Sequence, residues 1–178
     1  MNITPGPYPI LAIVFSDGLA ADRFISDLEY RIRDAGIAVA GIVQHNKFTR
    51  DRTRCDMEVE ELASGIVLQL SEDRGKEARG CRLNRGALSQ AGALITASLK
   101  TKPELVILNK FGKVEAEGRG LRDTLSDAVQ PGVPIIVGVP YRNIEHWRVF
   151  MSSQKAWPRN APLVPLDCMN GSYCTDLT

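Results

Sequence analysis

Apolar positions along the chain fall into short unbroken runs that alternate with stretches of helical spacing. "YPILAIVF" (Tyr8–Phe15) is a compact apolar run behind a proline lead-in and predicts a buried strand. Leu19, Phe24, Ile25, Leu28 and Ile32 then recur at roughly helical spacing, and Gly36 stands where a helix closes. "IAVAGIVQ" is the next strand, so Ile10 to Gln44 reads as a strand–helix–strand unit. Such units are right-handed and parallel in nearly all cases when their strands share a sheet.

His45 to Arg54 is polar and basic without apolar periodicity, and a loop is expected there. "MEVEEL" and "GIVLQLSE" read as an antiparallel edge pair turning at Ala63–Gly65. A second polar stretch, "EDRGKEARGCRL", leads to Asn84, an N-cap for a helix ending near Lys100. Leu105–Leu108 is a strand, a helix runs from about Leu121 to Val129, "VPIIVGVP" is a further buried strand, and "NIEHWRVFM" is a short helix. The proline-rich tail, 152–178, offers one more edge strand in "PLVPL".

Near-continuous apolar strands separated by helices predict an α/β fold, a mostly parallel sheet covered on both faces in three layers. Residues 1–178 are expected to form a single domain. Ligands in such sheets bind beyond the carboxyl ends of the strands. That rule gathers Ser16–Gly18, Gln44–His45, Asn109–Lys113 and Pro140–Arg142 around one crevice.

Composition narrows the picture only a little. A chain of 178 residues can bury about 70% of its unfolded surface. Its 44% hydrophobic and 24% charged content is ordinary for a globular protein, and a net charge of +1 makes no case for nucleic acid or membrane binding. Locally, Lys47, Arg50, Arg52 and Arg54 are opposed by Asp51 alone, which a solvated loop explains. Phe48 is the one aromatic beside them, too little for base stacking. The opening "MNITPGPYPI" reads as a turn-rich lead-in rather than a signal peptide, and no apolar run approaches the roughly 20 residues of a membrane helix. A cytoplasmic protein is the expectation. Cys55, Cys81, Cys168 and Cys174 form no CxxC pair and read as free thiols, and a structural zinc at "DCMNGSYC" would need further ligands.

Candidate chemistry lies in three places. The turn "FSDGLAADRF" has one glycine, Gly18, and no lysine, where a phosphate-cradling loop needs several glycines, a lysine and a hydroxyl. Asp17 there would repel a phosphate. In "LVILNKFGKVEAEGRG", the strand ends in Asn109 and Lys110 where a nucleotide-hydrolysing protein would place a carboxylate for magnesium. Lys113, Arg119 and Arg122 add positive charge, and Gly118 and Gly120 would let a ligand approach the backbone. Glu115 and Glu117 are either acid/base or metal groups, or partners of the neighbouring cations. In "ARGCRLNRG", Arg82 and its neighbours surround Cys81, which is either an activated thiol or a small buried side chain.

The segments "AGIVQ", "CDMEVEELASG", "RGCRLNRGAL", "NKFGKVEAEGRGLRD" and "VPIIVGVPYRNIEHWRVF" together resemble the bacterial family known as domain of unknown function 2478, over roughly residues 10–150. The resemblance implies a degenerate relative of the P-loop nucleoside-triphosphatases. In those proteins the matching strand ends in an acidic pair. Asn109 and Lys110 replace that pair here, while Gly112, Lys113 and Glu115 fit the pattern. Some family members are encoded beside molybdate-transport or molybdenum-enzyme functions, which implies oxyanion or metal-cofactor handling. The expectation is therefore a protein that binds a small anion, either a nucleotide or an oxyanion such as molybdate, with no required cofactor and no magnesium-assisted hydrolysis. The rival is a nucleoside-triphosphatase in which Asp17 and either Glu115 or Glu117 hold a relocated magnesium. The sequence leaves homo-oligomer formation open.

Overall fold

The computed structural model describes residues 10–47, 56–72, 83–129, 132–154 and 162–166. The strands are β1 (Ile10–Phe15), β2 (Val39–Lys47), β3 (Asp56–Glu61), β4 (Ile66–Gln69), β5 (Leu105–Leu108), β6 (Ile135–Pro140) and β7 (Leu163–Pro165). The helices are α1 (Gly18–Asp34), α2 (Arg85–Leu99), α3 (Lys113–Ala116), α4 (Arg122–Val129) and α5 (Ile144–Ser153), with one 3₁₀ turn at Tyr141–Asn143.

All seven strands share one sheet in the order β4-β3-β2-β5-β6-β1-β7. The pairs β2–β5, β5–β6, β6–β1 and β1–β7 are parallel, and β3 and β4 add an antiparallel edge. The expected α/β architecture is the observed one, a mostly parallel sheet with helices on both faces, like that of the P-loop nucleoside-triphosphatases.

Side-chain alternation along the strands builds two cores. Ile13, Phe15, Val39, Val43 and Ile107 face α1, where Ala21 and Ile25 are fully buried. Ala12, Ile42, Val106, Leu108, Val137 and Val139 face the opposite layer, where α2 contributes Leu88, Ala91 and Ile95, α4 Leu125, and α5 Trp147 and Phe150. The chain leaves β1 toward β2 on the α1 face and leaves β6 toward β7 on the α5 face. Neighbouring strands whose connections depart on opposite faces make a topological switch point, and the β1–β6 pair is one.

Two local readings need correction. β2 continues through His45, Asn46 and Lys47, which pair with Glu58, Met57 and Asp56 of β3, so the first three residues of the expected loop are strand. Polar residues are extended there because β3 supplies a backbone partner, a long-range pairing that local periodicity does not report. Lys113–Ala116, for which the sequence indicated no regular element, is a single helical turn. The remaining basic loop, with Arg50, lies outside the described residues, as do Cys55, Cys168 and Cys174. From the tail, "PLVPL" does supply the expected edge strand, β7.

Candidate functional site

The β1–β6 switch point opens into a cavity of about 230 Å³ lined by Phe15, Ser16, Gly18, Lys110, Pro140, Tyr141 and Arg142. Lys110 reaches it because its neighbour is anchored on the other face. The Phe111 backbone N–H donates to the Gly138 carbonyl at 2.8 Å, and its ring packs 5.3 Å from Trp147 and 5.6 Å from Phe150. Asn143 Nδ2 donates to the Phe111 carbonyl at 3.1 Å and ties the same turn to the end of β6. With Phe111 buried toward α5, Asn109 and Lys110 meet α1.

There they meet Asp22. Asn109 Nδ2 donates to Asp22 Oδ1 at 3.0 Å, and Lys110 Nζ lies 3.5 Å from the same oxygen. Asn109 is 2% exposed and its Oδ1 is buried without a hydrogen-bond partner. Lys110 also sits 5.9 Å above the Phe15 ring. Its ammonium is thus held by a carboxylate and an aromatic face, and is pre-positioned at the cavity. Sequence reasoning missed Asp22. The available signal was a carboxylate inside the apolar stripe of α1, beside Ala21 and one turn before Ile25.

The N-terminus of α1, where a phosphate loop would deliver its anion, carries the chain's own carboxylate. Asp17 Oδ1 accepts from the Leu19 and Ala20 backbone N–H groups at 2.9 and 3.2 Å. Asp17 is an N-cap, and its charge sits favourably at the positive end of the helix.

The other two carboxylates of the relocated-magnesium idea are also engaged. Glu115, 6% exposed, accepts from Gly112 N–H and Leu121 N–H at 3.0 Å each, which binds the start of α3 to the start of α4. Burial pushes its carboxyl above the ordinary value, against the pull of the N–H groups it accepts. Glu117 accepts from Arg119 Nη2 and lies 3.8 Å from Lys113 Nζ. Among the described residues, no three His, Cys, Asp or Glu side chains converge on a metal-sized site.

Lys113, Glu117 and Arg119 do not line the switch-point cavity. With Glu72, Leu83, Asn84, Arg85, Gly86 and Val114 they line a second one, of about 470 Å³, beside the start of α2. Arg122 lies against the core, its guanidinium 4.6 Å from the Phe150 ring and 3.4 Å from the Glu115 carbonyl. A β-carbon on Gly120, at φ 66°, would stand 2.3 Å from Glu115 Oε1, so this glycine makes room for the Glu115 carboxylate. Gly118 has open space around it. Cys81 and Arg82 lie outside the described residues.

A third cavity, also about 470 Å³, is lined by Leu19, Asp22, Arg23, Ser26, Asp27, Gln44 and His45. The one expected crevice is therefore divided into separate spaces: Asp22 of α1 lines the third cavity and pairs with Lys110, which lines the switch-point one. None of the helices in the described residues is long and apolar enough to cross a membrane.

The sequence is 31% identical over 146 residues to the molybdenum import ATP-binding protein ModC 2 of Bradyrhizobium diazoefficiens. That alignment takes in 81% of this chain but 16% of the relative, so the chain spans only a small part of the relative's length. The family described as "Protein of unknown function (DUF2478)" matches residues 10–160. A match over most of the chain, on a P-loop-like sheet whose strand end carries Asn109 in place of a carboxylate and whose first helix is capped by its own Asp17, establishes that the chain belongs to the DUF2478 family.

Proposed function

We propose that the chain is an accessory protein that binds a small tetrahedral oxyanion, of which molybdate is an example, at the β1–β6 switch point. The observation that carries this reading is the cavity there, into which Lys110 and Arg142 bring positive charge and Ser16 and Tyr141 bring hydroxyls. Its volume of about 230 Å³ falls below the roughly 300–1,000 Å³ of most organic-ligand sites, which favours an inorganic anion over a whole nucleotide. Lysine provides a compact point charge and arginine a planar fork, a combination suited to an anion with several equivalent oxygens. The relative's name, a molybdenum import ATP-binding protein, supports a link to molybdenum handling.

Hydrolysis is not part of the proposal. Asn109 has no charge to offer a magnesium ion, and Lys110 beside it repels one. The test is calorimetry of the purified chain against molybdate, sulfate, phosphate and ATP. Binding of an inorganic oxyanion that weakens about tenfold or more in Lys110→Ala is the expected result, since a charge-assisted hydrogen bond is worth roughly 1.5–3 kcal/mol. Tighter binding of ATP than of any oxyanion, with magnesium-dependent turnover, would replace this reading with the nucleoside-triphosphatase one.

A further inference from the structure

The larger cavity beside α2 has no part in the proposed switch-point site, and its walls share no residue with it. Among the described residues, Arg85 from α2, Lys113 from α3 and Arg119 from the following turn give it three cations, and Glu72 and Glu117 two carboxylates. Glu117 is already bonded to two of those cations. Its Oε2 accepts from Arg119 Nη2 and its Oε1 lies 3.8 Å from Lys113 Nζ. The carboxylate thus stands where an anionic ligand would bridge the same two groups.

Lys113 and Arg119 are exposed, at 78% and 54% of their side-chain surface, and Glu117 at 41%. Ion pairs this open to solvent are weakly held. A dianion can therefore displace Glu117 from Lys113 and Arg119. Leu83 and Val114 add an apolar wall, and the volume of about 470 Å³ lies within the range of small organic ligands.

We propose that this cavity binds a phosphate monoester, its phosphate between Lys113 and Arg119 with Arg85 nearby, its organic part on Leu83 and Val114, and Glu117 as a built-in competitor for the phosphate. The competitor sets a threshold: the site fills only with a ligand of higher charge than a carboxylate.

Calorimetry of the full chain with phenyl phosphate and inorganic phosphate tests this. Glu117→Gln should strengthen phenyl phosphate binding by about two- to fivefold, the range of a solvent-exposed ion pair, and Lys113→Ala and Arg119→Ala should each weaken it by at least as much. Phenyl phosphate should bind more tightly than inorganic phosphate in the wild type and in Glu117→Gln. Unchanged affinity in Glu117→Gln would overturn the competitor role. Equal affinity for the two probes would overturn the monoester assignment. A loss in Lys110→Ala as large as that in Arg119→Ala would move binding to the switch point, and no binding by either wild type or Glu117→Gln would remove the site.

Discussion

Asn109 donates its side-chain amide to the Asp22 carboxylate at 3.0 Å, and both residues are buried. This bond joins the end of β5 to the second turn of α1, at the position where a P-loop hydrolase would present an acid. An amide suits the place because a second carboxylate would face Asp22 directly.

Asn109→Asp should therefore destabilise the protein by about 2 kcal/mol at neutral pH, because two buried carboxylates so close cannot both ionise cheaply. One of the pair would have its folded pKa raised above the unfolded value. The penalty would be absent below the unfolded pKa and would grow as pH rises through the folded one. Urea unfolding of the variant and wild type from about pH 4 to pH 8 checks this, and a pH-independent difference would refute the pairing.

Glu115 gives a second pH signature. Burial raises its carboxyl above the ordinary value of 4.5, so the folded state holds a proton that the unfolded state releases. Stability from this group is present at low pH and declines as pH rises through the folded pKa. The melting temperature of wild type minus that of Glu115→Gln should increase as pH falls from about 8 to about 5. A constant difference across that range would contradict it.

Asp17→Ala should separate stability from binding. Loss of the N-cap should cost about 1 kcal/mol and lower the melting temperature. The Leu19 and Ala20 amides, released from the carboxylate, would then be open donors at the N-terminus of α1, next to Gly18 of the switch-point wall. The stabilisation produced by a saturating oxyanion should be larger in the variant than in the wild type. Paired thermal melts with and without molybdate read both effects, and a smaller ligand-induced shift would show that Asp17 assists binding.

Glu61 is 1% exposed and accepts from Ser64 N–H at 2.8 Å, Ser64 Oγ at 2.6 Å and Ser98 Oγ at 2.8 Å. It closes the β3–β4 turn and fastens it to α2. Ser98→Ala should cost roughly 1.5–3 kcal/mol, as for a hydrogen bond to a carboxylate. Denaturant unfolding would measure it, and a change under about 0.5 kcal/mol would show that the Ser64 bonds suffice.

Gly41→Ala should be far more severe. Gly41 has φ 110°, and an added β-carbon would stand 1.9 Å from the Ile107 carbonyl oxygen of the neighbouring strand. The β2–β5 register would have to open, and the variant should lose cooperative unfolding or fail to accumulate as folded protein. A cooperative melt near that of wild type would show that the two strands can separate without loss of the sheet.

The parallel strands of the sheet were legible in the apolar pattern. "ILAIVF", "LVIL" and "PIIVGVP" are apolar on both faces, as suits a doubly covered parallel sheet, and they are parallel strands of one sheet as expected. Asn84 and Gly36 marked helix ends because capping is local chemistry. What the sequence could not supply was the grouping of charges. Lys110 and Arg119 are nine positions apart and look equivalent in a string, yet Phe111 anchors the chain so that Lys110 meets Asp22 while Arg119 meets Glu117 by α2. Asp22 was invisible as a site residue because its partners come from a strand more than eighty positions away. Only tertiary structure decides such encounters, since a charge acts over a few ångströms of space and not along the chain.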